Sequence, residues 1–298
     1  MPVDAAVPLA LVLLAAALHV LGSRSSRDRW RALSFYAGLA TILAALVSPI
    51  DDLSEKLFWV HMTQHVLLLT VAAPLIALGA PWSSMWRPLP LGLRRTLARG
   101  ISRSRGCAPL RALGHLLGRP VPAWIAFNVN LVLWHIPAIY AHAIGDGPIH
   151  DLEHTTFLLF GVLLWAQVID SPPLRARLSA LWRAAYMVGA SIVSWVLSLV
   201  IIFASSPLYA HYADIAHRPG GISAIADQQL AGGVMLVPGS IAASLYVFIQ
   251  LYRWIAQDER SEPPRDTARA PLPSPVAPPP AGPTAHSTAR REPERTLA

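Results

Sequence analysis

The stretch at residues 59–81, WVHMTQHVLLLTVAAPLIALGAP, decides the fold class of this chain. It is apolar over about the 20 residues that an α-helix needs to cross a membrane, and it carries His61 and His65 near its start. Residues four apart lie on one face of a helix, one turn from each other. Because an imidazole inside a membrane needs a partner, the pair predicts either a shared metal site or two histidines hydrogen-bonded to neighbouring helices.

The composition extends the membrane prediction to the whole chain. Of the 298 residues, 54% are hydrophobic and only 14% are charged, whereas about a quarter of a soluble domain is charged. The net charge of +7 rests almost entirely on arginine, which indicates membrane topology and no nucleic-acid partner. The single cysteine, Cys107, excludes an intrachain disulfide and any metal motif built on paired cysteines. We therefore expect an all-α, polytopic membrane protein.

Seven apolar segments of about bilayer length predict seven transmembrane helices. We place them at Ala5–Leu21, Leu33–Ile50, Leu57–Gly79, Val121–Ala143, Ile149–Ile169, Ala184–Ser205 and Ile225–Ile255. No basic residue precedes the first span, so it is expected to remain as an uncleaved helix. Pro74, Pro137 and Pro238 are expected to kink their helices, and Tyr140 to join an aromatic belt at the membrane interface.

Arginines concentrate in alternate connections between these spans. The first, third and fifth connections contain Arg24, Arg27, Arg29 and Arg31, then Arg87, Arg94, Arg95, Arg99, Arg103, Arg105, Arg111 and Arg119, then Arg175, Arg177 and Arg183. By the positive-inside rule, we expect these connections and the C-terminus in the cytoplasm and the N-terminus outside. The stretch near Leu91–Ile101 predicts either a basic amphipathic helix on anionic membrane lipid or a solvated topology signal.

The C-terminal part of the chain differs in composition from the rest. From residue 257 onward it is rich in proline and alanine, and such a composition cannot bury a core. We therefore expect a seven-helix domain over residues 1–256 and a disordered cytoplasmic tail over residues 257–298.

The predicted orientation places eight of the eleven histidines on the outer side. Three consecutive spans carry six of these: His61 and His65, His135 and His142, and His150 and His154. At about 1.5 Å per residue, the deepest of them lie roughly 12 Å below the helix ends, so all three spans can share one pocket. Asp227 and Gln228 enter the seventh span from the same side, where a carboxylate could ligate a metal or orient a ligating histidine. These imidazoles and the carboxylate suit a site for copper, zinc, iron or nickel, or for haem. The alternative is that the histidines only form structural hydrogen bonds.

A second motif overlaps the histidines of the fifth span. His150, Glu153 and His154 fit the H-x-x-E-H pattern of inverted zinc peptidases, in which two histidines bind zinc and the glutamate activates water. Such a site needs a third ligand, usually a downstream glutamate. The next glutamate, Glu259, follows the last span. We therefore expect no catalytic residues and no enzyme.

Several short motifs follow one another in a fixed order between residues 48 and 252. They are Ser48-Pro49-Ile50-Asp51, His61-Met62-Thr63-Gln64-His65, Ala73-Pro74-Leu75, Leu78-Gly79-Ala80-Pro81, His135-Ile136-Pro137, His150 with Glu153-His154, and Asp227-Gln228-Gln229-Leu230. Together they resemble the CtaG family of multi-spanning assembly factors for caa-type cytochrome c oxidases.

The resemblance implies a function and a set of site residues. It implies a bacterial plasma-membrane protein that assists maturation of the oxidase's copper centre at the outer face, with copper as cofactor and oxidase subunits, notably subunit II, as partners. The expected ligands are His61, His65, His135, His150, His154 and Asp227, supported by Glu153 and Gln228. Two other functions stay open: a bis-histidine haem protein that passes electrons across the membrane, and a copper transporter.

Overall fold

The computed structural model describes residues 3–23, 29–47 and 49–261 of the chain. Within these ranges the fold is helical and contains no β-strand, so the all-α prediction is confirmed. The helices are α1 Val3–Gly22, α2 Arg29–Leu46, α3 Pro49–Ser54, α4 Phe58–Val66, α5 Ala73–Gly79, α6 Trp82–Trp86, α7 Leu91–Arg103, α8 Ala108–Leu117, α9 Pro120–Trp134, α10 Pro137–Gly145, α11 Gly147–Ala166, α12 Ala180–Phe203, α13 Ala210–Ala213, α14 Ala224–Leu236 and α15 Pro238–Ser261.

The chain divides into two units, Met1–Gln257 and Asp258–Ala298. The first five residues of the predicted tail, 257–261, belong to the end of α15. The rest of the predicted tail, residues 262–298, lies outside the described residues. All that follows concerns the first unit.

Within the described residues, three helical segments are long and apolar enough to cross a membrane. They are Phe58–Gly79, Ala180–Phe203 and Ala224–Gln257, and a fourth span is counted if α8 and α9, which meet at 95°, are taken together. These segments give the chain the character of a membrane protein. Helices also occupy the other predicted spans, but the seven-span topology and its orientation stay predictions.

The helix Phe58–Gly79, called the central helix below, consists of α4, a π-helical turn at Leu67–Ala72, and α5. The π turn directly precedes Pro74, which has no N–H for the regular helical hydrogen bond. Helix α10 begins at Pro137 and α15 begins at Pro238, so helix boundaries fall at both of these prolines, and the kinks themselves stay predictions.

The C-terminal end of the central helix is fixed by close packing and by its own backbone. Ala80 adopts a left-handed conformation with φ 47° and donates its N–H to the carbonyls of Ile76 and Ala77. Gly79 lies against α2, where an added Cβ would come within 2.7 Å of the Cβ of Phe35. The helix therefore ends where α2 crosses it.

The other elements surround the central helix. In its most apolar window 61% of the residues are buried, against 22% for Ala180–Phe203 and 17% for Ala224–Gln257. Its neighbours are α2, α11 and α14. The amphipathic helix predicted near Leu91–Ile101 is present as α7, and neither α7 nor α8 has a buried residue. Of these three segments, the central helix is thus the most enclosed by protein, and it carries the first histidine pair.

Candidate metal centre

His61 and His65 lie on one face of the central helix, as their spacing predicts. Their ring centroids are 4.4 Å apart, and their exposed fractions are only 0% and 3%. Both nitrogens of each ring are buried without a hydrogen-bond partner within the protein. Two adjacent imidazoles with no partner are unusual, because buried polar groups are nearly always hydrogen-bonded.

Helix α11 carries His150, Glu153 and His154 on the side that faces the central helix. Positions three and four apart share one helix face, and the rings of His150 and His154 have centroids 4.4 Å apart. The two helices approach closely at Gly161, where an added Cβ would lie 3.1 Å from the Cβ of Ala73. This approach brings the two polar faces together.

Two groups of donor atoms result, and they share His61. In the first group, called the three-histidine set, donors of His61, His150 and His154 all lie within 4.8 Å of one another. In the second, called the glutamate set, donors of His61, His65 and Glu153 do so. Among the described residues, no other three histidine, cysteine or acidic side chains lie this close. The structure thus joins five predicted site residues in one cluster.

Glu153 lies between the two histidines of the central helix. Its Oε2 is 3.9 Å from His61 Nε2, and its Oε1 is 3.6 Å from His65 Nε2. Both distances are too long for a hydrogen bond, and neither oxygen has another partner within the protein. Because each unpartnered buried polar group costs about 1–3 kcal/mol, the converging atoms fit a bound cation that all of them contact.

His135 lies beside the cluster but belongs to neither set. It follows the last residue of α9, and its Nδ1 is 2.7 Å from the carbonyl of Leu131. A carbonyl only accepts, so Nδ1 carries the proton and the neutral ring has its lone pair on Nε2, which is buried without a partner. The ring centroid is 6.2 Å from that of His65, and Phe157 packs against both rings.

Asp227 occupies a different place from the one expected for a ligand. Its carboxylate accepts the backbone N–H groups of Phe58 and Trp59, both at 3.0 Å. The first N–H groups of a helix have no acceptor within the helix itself, and this end of the helix carries the positive end of its dipole. A carboxylate is therefore a favourable acceptor here. The structure therefore makes Asp227 a cap on the helix that carries the histidines, and separates it from both donor sets.

Gln228 also joins elements and does not face the cluster. Its Nε2 donates to the carbonyl of Ile201 at 3.0 Å, and its Oε1 accepts the N–H of Leu208 at 2.6 Å. The side chain thus ties the end of α12 to the start of α14, so Gln228 supports the cluster only through the packing of the helices.

An aromatic group closes the start of the central helix. Phe58, Tyr140, Tyr209 and Tyr212 pack together, and Tyr140 is only 1% exposed. The prediction that Tyr140 belongs to an interfacial belt is therefore wrong, because its ring fills the space beside His61 instead. Tyr209 donates to the carbonyl of His135 at 3.0 Å. Burial raises the pKa of the Tyr209 and Tyr212 hydroxyls, so both remain donors.

A polar cavity opens onto the three-histidine set. It is lined by that set and by three carboxylates that the sequence interpretation did not include among the site residues, Asp51, Glu55 and Asp151. Gln64, between the two histidines of the central helix, donates to Asp51 Oδ1 at 2.9 Å and to the carbonyl of Ala45 at 2.8 Å. Asp51 is the last residue of the motif Ser48-Pro49-Ile50-Asp51, and this motif was the signal by which the sequence could have included Asp51 in the site.

A second cavity, mainly apolar, is lined by His65 of the cluster and by His135. These two residues contribute its only ionisable groups, and apolar side chains such as Leu69, Phe127 and Leu131 contribute most of the remainder. The cluster therefore borders both a polar cavity and an apolar one.

The third donor beside the two histidines of the H-x-x-E-H pattern comes from earlier in the chain, from His61. The sequence interpretation looked for a glutamate after Glu153, whereas the structure brings His61 from the central helix to His150 and His154. Spacing along one helix could not reveal this contact, because it joins residues about ninety positions apart.

The fold and the cluster define a class: an all-helical protein of membrane character with a buried histidine–glutamate centre. Residues 11–257 match the family model of the cytochrome c oxidase caa3 assembly factor, Caa3_CtaG. The chain belongs to this family, which confirms the resemblance of its motifs.

The chain is also similar, at low sequence identity, to three curated mycobacterial proteins. Uncharacterised proteins of Mycobacterium bovis and Mycobacterium tuberculosis are each 22% identical over 236 residues, and one of Mycobacterium leprae is 21% identical over 248 residues. The matches cover 77% to 80% of this chain but only 35% to 36% of those proteins, so the chain spans about a third of their length. No solved structure matches the chain.

Proposed function

We propose that this protein assists maturation of a copper centre in cytochrome c oxidase by binding copper in the histidine–glutamate cluster. One observation carries the proposal: buried atoms of His61 and His65 on one helix and of Glu153 and His154 on another converge and have no hydrogen-bond partner within the protein. Histidines that serve packing alone are expected to be hydrogen-bonded. A cation contacting these atoms would satisfy them together.

The choice of copper rests on the donors and the family together. Imidazole with carboxylate suits copper, zinc, iron or nickel. Membership of an oxidase assembly family favours copper, because the oxidase requires that metal and an assembly factor has to act on one of its components. An assembly role also favours a protein that holds and releases an ion over one that transforms a substrate.

The surrounding residues have positioning roles in this proposal. Asp227 fixes the first turn of the central helix and therefore the position of His61 along the helix axis. The hydrogen bond from His135 Nδ1 to Leu131 directs its Nε2 lone pair away from that carbonyl, towards the apolar cavity. His135 is then available as an additional ligand once side chains adjust around the ion.

The proposal places the protein in the bacterial plasma membrane as a multi-pass protein, with oxidase subunits as partners and subunit II as the acceptor of copper.

A phosphatase reporter fused after Gln257 tests the orientation. We expect no phosphatase activity, because the arginine-rich connections place this end in the cytoplasm. Activity of that fusion would reverse the orientation and move the cluster to the other side.

Metal analysis of purified variants tests the proposed function. His65→Ala and His154→Ala should each lower copper affinity by more than about tenfold, as is typical when a metal site loses a supporting group. Oxidase copper content in the same strains should fall in parallel. His217→Ala is the matched control, because His217 is exposed and outside the cluster, and it should change neither quantity.

Two results would contradict the proposal. Normal copper content and normal oxidase in His65→Ala would show that the cluster is structural. A Soret band in the visible spectrum of the purified protein, lost in His65→Ala, would instead favour the bis-histidine haem protein.

A further inference from the structure

We propose that the cluster provides two successive positions for one copper ion, which enters from the polar cavity and exchanges ligands around His61. This inference rests on the proposed function. It adds a direction of travel: the ion binds first to the three-histidine set and then to the glutamate set.

The three-histidine set has the features of a receiving position. His150 is only partly buried, and the cavity that opens onto this set also reaches solvent-exposed Glu55. Nitrogens bound to one tetrahedral ion at about 2.0–2.1 Å lie roughly 3.4 Å apart, and these donors already lie within 4.8 Å of one another. Small side-chain rotations are enough to close the set on an ion.

The glutamate set has the features of a holding position. His61, His65 and Glu153 are all at most 3% exposed, and none of them faces the polar cavity except His61. A carboxylate in place of one of the three imidazoles adds a negative charge to the donors, which favours the cation in a space that excludes water. The ion is therefore expected to bind more tightly here than in the three-histidine set.

His61 connects the two positions. It belongs to both sets, and its ring centroid is 5.1 Å from that of His150 and 4.4 Å from that of His65. An ion that keeps its bond to His61 can exchange the other ligands one at a time, so it never leaves protein donors during the transfer. Simultaneous occupation would place two cations on one imidazole at short range, where they repel each other.

The lining of the polar cavity fits the arrival of a cation. Asp51, Glu55 and Asp151 line this cavity together with the imidazoles of the three-histidine set. A cleft lined by one sign of charge raises the local concentration of the opposite charge and the rate of association. The carboxylates are expected to affect how fast copper arrives and to have little effect on how tightly it is finally held.

Separate measurements of rate and affinity test the two positions. Copper(I) is delivered from a chromophoric chelator to the full-length protein in detergent, and transfer is followed by stopped flow and by equilibrium competition. His150→Ala should slow transfer by about tenfold and change the final affinity much less. Glu153→Gln, which keeps the shape of the side chain, should lower affinity by about tenfold and leave the transfer rate nearly unchanged.

The cavity carboxylate gives a variant that leaves both donor sets intact. Glu55→Gln should slow transfer at low salt and lose this effect at high salt, because steering by charge is screened. Asp52→Asn is the matched control, since Asp52 is exposed on α3, three residues before Glu55, but does not line the cavity. It should leave the transfer rate unchanged.

The outcomes separate this inference from the proposed function. If wild-type protein binds no copper, the proposed function fails and this inference fails with it. If copper binds, but His150→Ala and Glu153→Gln reduce rate and affinity in the same proportion, the cluster is a single site and only this inference fails. Binding of two copper ions per protein at saturation would overturn it as well.

Discussion

The two halves of the central helix, α4 and the remainder, differ in whether their buried polar groups have hydrogen-bond partners. In the N-terminal half, α4, the imidazoles of His61 and His65 are buried without partners. In the C-terminal half, the Thr70 hydroxyl donates to the carbonyl of Val66 at 2.8 Å, and the Leu69 carbonyl accepts from the Trp165 indole at 3.0 Å. Unpartnered polar atoms are therefore confined to one face, and the helix as a whole is not poorly packed. The contrast separates the residues of the proposed metal site from residues that serve packing.

Asp227→Ala should give the largest effect and should disturb the N-terminal half alone. Removal of the carboxylate leaves the N–H groups of Phe58 and Trp59 without their acceptor, at a cost of about 2–4 kcal/mol. We expect a lower thermal midpoint in detergent and weaker copper binding, because the first turn positions His61. Asp227→Asn keeps an acceptor oxygen and should be milder. An Asp227→Ala protein with normal stability would show that the cap is not needed.

Gly79→Ala should give a smaller effect, confined to the C-terminal half. The new Cβ would lie 2.7 Å from the Cβ of Phe35 and 2.9 Å from its backbone nitrogen, and such overpacking costs about 1–3 kcal/mol. Thermal denaturation should show the loss, whereas copper affinity should be unchanged. Gly114→Ala is the control, because nothing lies within 4 Å of an added Cβ there. A change in copper affinity in Gly79→Ala would mean that the two halves are coupled.

Trp165→Phe should give the smallest effect. It removes the hydrogen bond to the Leu69 carbonyl in the π turn and is expected to cost about 1 kcal/mol. Copper affinity should again be unchanged. Trp182→Phe serves as the comparison, since Trp182 is 66% exposed and its substitution should be neutral. Equal thermal midpoints for both variants would show that the π turn is held by packing alone.

Local periodicity explains which parts of the site the sequence could predict. Pairs four residues apart, such as His61 with His65 and His150 with His154, lie together on their helices because helical geometry requires it. The predicted depth of the histidines grouped the two helices that form the cluster. Helices occupy the predicted spans, but helices end inside several of them, as at Leu46, Trp134 and Leu236, and the crossing of the membrane by all seven stays a prediction.

Rotation about the helix axes explains what the sequence could not predict. Asp227 lies at the expected end of its helix, yet its carboxylate faces the start of the central helix and not the histidines. His135 was assigned to a continuous span, but the break before Pro137 places it at a helix end, where its Nδ1 bonds to Leu131. Such orientations depend on which helices become neighbours, and residue spacing within one segment carries no information about that.

The donor residues and the carboxylate that caps their helix are synthesised at different times. Every residue of the two donor sets lies between positions 61 and 154, whereas the carboxylate that holds their helix is 168 and 169 positions away from the groups it accepts. Chains are synthesised from the N-terminus, so the ligands leave the ribosome well before their anchor. A nascent chain that ends before α14 therefore lacks the carboxylate that accepts the first N–H groups of the central helix.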